Sequence, residues 1–92
     1  MKFFDWLFRE NLTREEVIDL LEAILNKTIS DEDWDQFVTV QLVDPDLEKV
    51  RFRVEEMWVE NSPFMVKGSI DPTDLNSKGV AEIKRLIDSI SN

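Results

Sequence analysis

The chain contains no cysteine, no histidine and no tyrosine. Lack of cysteine removes disulfides and thiolate chemistry. With histidine gone as well, zinc loses its two commonest ligand types and acid–base catalysis loses the side chain that titrates near neutrality. Only carboxylates, lysine, serine and threonine are left for proton transfer or covalent catalysis. Glycine is scarce, at two residues, and there are three prolines. Long apolar runs are missing too. The most apolar stretch, MKFFDWLFRE, is broken by Asp5 and closed by Arg9 and Glu10. It is too short for the apolar region of a signal peptide or for a membrane-spanning helix, so a cytoplasmic protein is expected.

Positive charge is also in deficit, with 11 basic residues against 20 acidic ones and a net charge of −9. Such a field repels phosphate backbones and anionic lipid headgroups. Nucleic acid and membrane surfaces are therefore not expected partners, whereas a basic protein is. At 92 residues, 42% hydrophobic and 34% charged, the chain is too apolar for a disordered acidic tail and has room for one core. Residues 1–92 are read as a single domain.

The pattern along the chain predicts an all-α fold, a small bundle of four to five helices. Residues 1–11 form an aromatic amino-terminal segment in which Phe3, Phe4, Trp6, Leu7 and Phe8 would cover most of a short helix. Packing against the domain body is expected, with a dimer contact or an amphipathic anchor as alternatives. In LTREEVIDLLEAIL, Thr13 and Glu16 have capping-box spacing, Leu12 and Val17 can staple the entry, and Val17, Leu20, Leu21 and Ile24 follow helical periodicity. Ser30 followed by Asp31, Glu32 and Asp33 reads as a further helix start, since carboxylates favour the positive end of the helix dipole. Asp31, Asp33 and Asp35 resemble the opening of a calcium loop, but Gln36 stands where glycine is needed and Leu42 where glutamate is needed. No metal and no cofactor is expected.

Residues 38–54 admit two readings. Val38, Val40 and Leu42, then Val50, Phe52 and Val54, alternate as a short β-hairpin would. Against this, Asp44-Pro45 is a helix-start signature, and Leu47, Val50, Val54, Met57 and Trp58 share one helical face. The favoured expectation is a helix over 45–60 with 38–43 as an extended connector, and a hairpin is the alternative. On that helix Phe52 and Val59 project from nearly the opposite side, either covered by the aromatic amino terminus or exposed as a small contact patch. The last helix is capped by Asp74 or Asn76 and carries Val80, Ile83, Leu86, Ile87 and Ile90 as its apolar stripe.

Between these helices lies NSPFMVKGSIDPTDLN, residues 61 to 76, which holds two of the prolines and one of the glycines. Its length exceeds the roughly 2–8 residues of ordinary helix connections, and Phe64, Met65, Val66 and Ile70 argue against disorder. An ordered loop over 61–75 is expected. It either closes the core as an apolar lid or presents Phe64, Met65 and Lys67 to a partner.

The words LTREEVIDLLEAIL, DWDQFVTVQLVDPDLEKVR and SIDPTDLNSKG resemble a group of small acidic bacterial proteins of unknown function. The resemblance covers residues 12 to 90. It implies a bacterial cytoplasmic helical domain and carries no activity or site residues.

The functional expectation is a small non-enzymatic protein-interaction domain, because no activated nucleophile, phosphate-binding glycine loop or metal cluster is assembled by the sequence. A sharper alternative is an immunity- or inhibitor-type protein whose acidic face, Asp31, Glu32, Asp33, Asp35, Asp44, Asp46 and Glu48, neutralises a basic partner. A second is a homodimeric structural subunit joined through Phe3, Phe4, Phe8, Phe52 and Val59. An enzyme would need paired carboxylates, for which Asp35, or Asp71 with Asp74, are the candidates.

Overall fold

The computed structural model describes residues 12–59, 61–69 and 71–91. The expectations for the aromatic segment 1–11, and for Ile70 within the loop, lie outside these residues. Four α-helices are present among the described residues: α1 (Arg14–Leu25), α2 (Asp31–Thr39), α3 (Pro45–Met57) and α4 (Ser77–Ile90). They form a small all-α bundle.

Each helix begins where a short polar side chain satisfies amide groups that have no partner inside the helix. Thr13 and Glu16 complete a reciprocal capping box: the Glu16 amide donates to Thr13 Oγ1 at 3.1 Å and the Thr13 amide to Glu16 Oε1 at 3.0 Å. Ser30 accepts from the Asp33 amide. Asp44 accepts from the Asp46 and Leu47 amides ahead of Pro45 at the first helical position. Of the two residues proposed to start α4, Asn76 does so, accepting from the Gly79 amide at 2.9 Å. Helix α1 stops in a Schellman turn. Lys27 takes a positive φ of 59° and the Thr28 amide donates back to the Ala23 carbonyl at 2.9 Å.

The hairpin alternative for 38–54 is overturned. Residues 45–57 are helical, and Leu47, Val50, Val54 and Met57 are all buried on one side. A hairpin would divide these side chains between two faces of a sheet. Two boundaries also shift. Helix α2 continues through Thr39, so the extended connector is shorter than 38–43, and α3 ends at Met57 with Trp58 as its cap, short of residue 60.

The core joins Val17, Leu21 and Ile24 of α1, Phe37 of α2, the buried face of α3, and Ile83, Leu86 and Ile90 of α4, with Leu42 from the α2–α3 connector. Each such side chain removed from water contributes roughly 1.5–3 kcal/mol before the entropy of ordering is counted. Helix α4 packs on α1 and α3, and α2 packs on α3. Trp34 and Trp58 meet edge to face at the α2–α3 seam, their ring centroids 4.6 Å apart.

The loop that enters α4 is ordered. Met65 and Leu75 form a single antiparallel bridge, the Val66 amide donates to Asp74 O, and the Asn76 amide donates to Phe64 O. The Asn76 side-chain amide also donates to the carbonyls of Pro63 and Met65. One residue therefore caps α4 and clips the loop to it. Gly79 completes the joint: a Cβ at this position would lie 2.3 Å from Phe64 O and 2.6 Å from Leu75 Cδ2, so only glycine lets the loop lie this close.

Candidate protein-interaction groove

Between α1 and α2 lies a recess of about 370 Å³, lined by Leu12, Glu16, Asp19, Leu20, Ala23, Asp33, Gln36, Phe37 and Val40. Its floor is apolar, formed by Leu12, Leu20 and Ala23 from the α1 side and by the edges of Phe37 and Val40 from the α2 side. Leu20 belongs to the apolar stripe of α1 yet is only half-buried, whereas Val17 and Leu21 are fully buried. Among the described residues, the rim carries three carboxylates, Glu16, Asp19 and Asp33, and no cation. Glu16 is fixed by the α1 capping box, and Asp33 stands in the first turn of α2.

The candidate contact residues fall in several places. Asp33 lines the groove, while Asp31 and Asp35 are exposed on the same helix without lining it. Met65, with 3% of its surface exposed, is a core residue and presents nothing to a partner. Phe64 is half-buried under the Arg53 guanidinium, which lies 5.0 Å from its ring centroid. Of the proposed trio Phe64, Met65 and Lys67, only Lys67 is exposed, beside Gly68 at a φ of 85°. Of the two alternatives for Phe52 and Val59, covered or exposed, the structure has them exposed, at 52% and 51%, and neither lines the groove.

Two ionic networks escaped the sequence reading. Arg51 is buried, with 5% exposure. Its Nε and Nη2 donate to the two oxygens of Glu48 at 2.7 and 2.9 Å, its Nη1 donates to the Val38 carbonyl at 3.0 Å, and Glu55 stands 3.3 Å away. Glu48 Oε1 also accepts from the Leu42 amide. The Arg51 hydrogen bond holds the Glu48 carboxyl below its ordinary range, and the same bond raises Arg51. The pair ties the end of α2 and its connector to α3.

The second network centres on Glu82. Its Oε2 accepts from Arg53 Nε at 2.8 Å and from Arg85 Nη2 at 2.7 Å, and its Oε1 from Arg85 Nε at 2.7 Å. Arg85, then Arg53, draw the Glu82 carboxyl down from 4.5 to about 2.

The carboxylates considered for catalysis are placed differently. Asp35 is exposed on α2. Asp71 accepts from the amide and hydroxyl of Thr73, which lower its pKa, and Asp74 accepts from Ser69 Oγ at 2.6 Å. Both thus close local turns. Among the described residues no three acidic side chains gather closely enough to hold a metal ion, and no helix is long and apolar enough to cross a membrane. Comparison with protein-family models, with curated proteins and with solved structures finds no match to this chain.

Proposed function

We propose that this chain is a small non-enzymatic protein-interaction domain whose α1–α2 groove takes an apolar segment flanked by basic side chains. The carrying observation is the union, in one recess, of an apolar floor and a rim of Glu16, Asp19 and Asp33 with no opposing cation among the described residues. Aliphatic anchors would fill the floor while lysine or arginine beside them meets the rim. The volume is near the lower end of the roughly 300–1,000 Å³ of small-molecule sites, which suits a few side chains. A net charge of −9 would draw a basic partner in and speed association at low salt. An inhibitor- or immunity-type protein is the form of this function that the charge favours. The local turn roles of Asp71 and Asp74 support the non-catalytic half of the reading.

The test is a titration of the full chain with a helical peptide bearing leucines at i, i+3 and i+7 between lysines, followed by amide chemical shifts. The expected perturbations centre on Leu20, Ala23, Phe37 and Val40. Affinity should fall about tenfold in an Asp19→Lys/Asp33→Asn variant and should weaken with added salt. Perturbations spread over the whole acidic surface, affinity unchanged in the variant, or self-association that closes the groove to the peptide would each overturn the proposal.

A further inference from the structure

On the other side of α1 the charge reverses. A cleft of about 540 Å³ between α1, α3 and α4 is lined by Arg14, Asp46, Lys49, Val50, Arg53, Arg85, Leu86, Ser89 and Ile90. Four of the chain's 11 basic residues meet here, Arg14, Lys49, Arg53 and Arg85, with one lining carboxylate, Asp46. With Glu82 set against Arg53 and Arg85, and Glu56 beside Arg53, these four cations still outnumber the three nearby carboxylates by one.

We propose that this cleft binds a small organic phosphate, with the phosphate between the cations and an apolar body over Val50, Leu86 and Ile90. The guanidiniums of Arg53 and Arg85 share the Glu82 carboxylate, and Arg53 also stands 3.9 Å from Glu56 and lies across the Phe64 ring. Both are thereby oriented before a ligand arrives, which lowers the entropy lost on binding. Each keeps N–H groups beyond those given to Glu82, in the planar fork that matches a phosphate. Arg14 and Lys49 make no hydrogen bond or ion pair among the described residues, so their charge is available to a ligand. Ser89 Oγ donates to the Leu86 carbonyl at 2.6 Å, which leaves its oxygen on the cleft wall as an acceptor for a ligand hydroxyl.

Size follows from the electrostatics. A polymer such as nucleic acid would extend beyond the cleft and meet the field of the whole acidic chain, while a small anion feels mainly charges within a screening length of about 10 Å. The ligand class is therefore compact. This site is separate from the α1–α2 groove and does not depend on its function.

The experiment titrates the full-length protein with phenyl phosphate, inorganic phosphate and benzoate, followed by amide and arginine Nε chemical shifts. Phenyl phosphate is expected to bind most tightly, because it alone combines a dianionic head with an apolar body. Perturbations should centre on Arg14, Lys49, Arg53 and Ser89. An Arg14→Gln/Lys49→Gln variant, which leaves the Glu82 network in place, should bind about tenfold more weakly. Lys84→Gln, at an exposed position outside the cleft, should bind unchanged. Equal affinity in the two variants, shifts scattered over every lysine and arginine, or benzoate matching phenyl phosphate would overturn the assignment.

Discussion

The two recesses that flank α1 are made of different materials and ordered by different forces. In the α1–α2 groove two of the three carboxylates belong to helix starts, Glu16 closing a capping box and Asp33 sitting in a first turn, while Asp19 stands further along α1. The Glu16 carboxylate is held by the Thr13 amide, and the apolar floor lies between it and Asp33. In the α1–α3–α4 cleft two of the four cations, Arg53 and Arg85, are set through Glu82, and the apolar residues beneath are core members. A carboxylate fixed by its own helix leaves its neighbours alone, whereas one shared by two arginines joins α3 to α4. The same residue type thus decorates one face and braces the other.

The largest expected effect comes from removing the tie beneath the groove side. Arg51→Met keeps most of the apolar stem but leaves the Val38 carbonyl without its donor and Glu48 without its cation. Denaturant unfolding should report a loss of about 3 kcal/mol. Hydrogen exchange should place the extra opening in α2 and its connector, with α4 amides retaining protection. Equal acceleration in α2 and α4 would mean that the two faces are not separately held.

Gly79→Ala strikes the cleft side. Its methyl group cannot coexist with Phe64 O and Leu75 Cδ2 at their present separation, so the loop must retreat at a cost of about 2 kcal/mol. Because Phe64 supports Arg53, phenyl phosphate binding should weaken while the leucine–lysine peptide still binds the groove. A variant as stable as the parent would show that the loop is not clamped at this joint.

Glu82→Gln is expected to cost about 1 kcal/mol near neutral pH, discounted because Arg85 is well exposed. The effect should depend on pH. The folded-state pKa of Glu82, about 2, lies below its ordinary value of 4.5, so its stabilisation is fully present above about 4.5 and is lost as pH falls toward 2. The parent should therefore lose stability through this window more steeply than the variant. Parallel acid limbs would remove Glu82 as the brace.

The smallest effect belongs to the groove rim. Asp33→Asn should change stability by about 0.5 kcal/mol or less, with the measurable consequence confined to peptide affinity.

Much of this frame was legible because it is local. Thr13, Ser30 and Asp44-Pro45 announce their helices through contacts two to four residues away, and the apolar positions of α3 distinguish helix from hairpin once the cap is weighed with them. Arg51 was not legible as a buried residue, since charge ordinarily marks a surface. The signal available was its spacing from Glu48 and Glu55, three and four residues along one helix face. Gly79 offered a similar clue, as a glycine inside an otherwise regular helical pattern. Met65 could be read as lid or contact because only packing decides between them. The groove and the cleft are non-local: Arg53 and Glu82 are 29 residues apart, and nothing in their own neighbourhoods brings them together.

The most direct test of two independent faces is to saturate one protein sample first with the leucine–lysine peptide and then with phenyl phosphate. The expected result is two disjoint sets of shifted amides, Leu20, Ala23, Phe37 and Val40 for the first ligand and Lys49, Arg53 and Ser89 for the second, with each affinity unaltered by the other ligand. Competition between the ligands, or a single set of residues responding to both, would contradict the account.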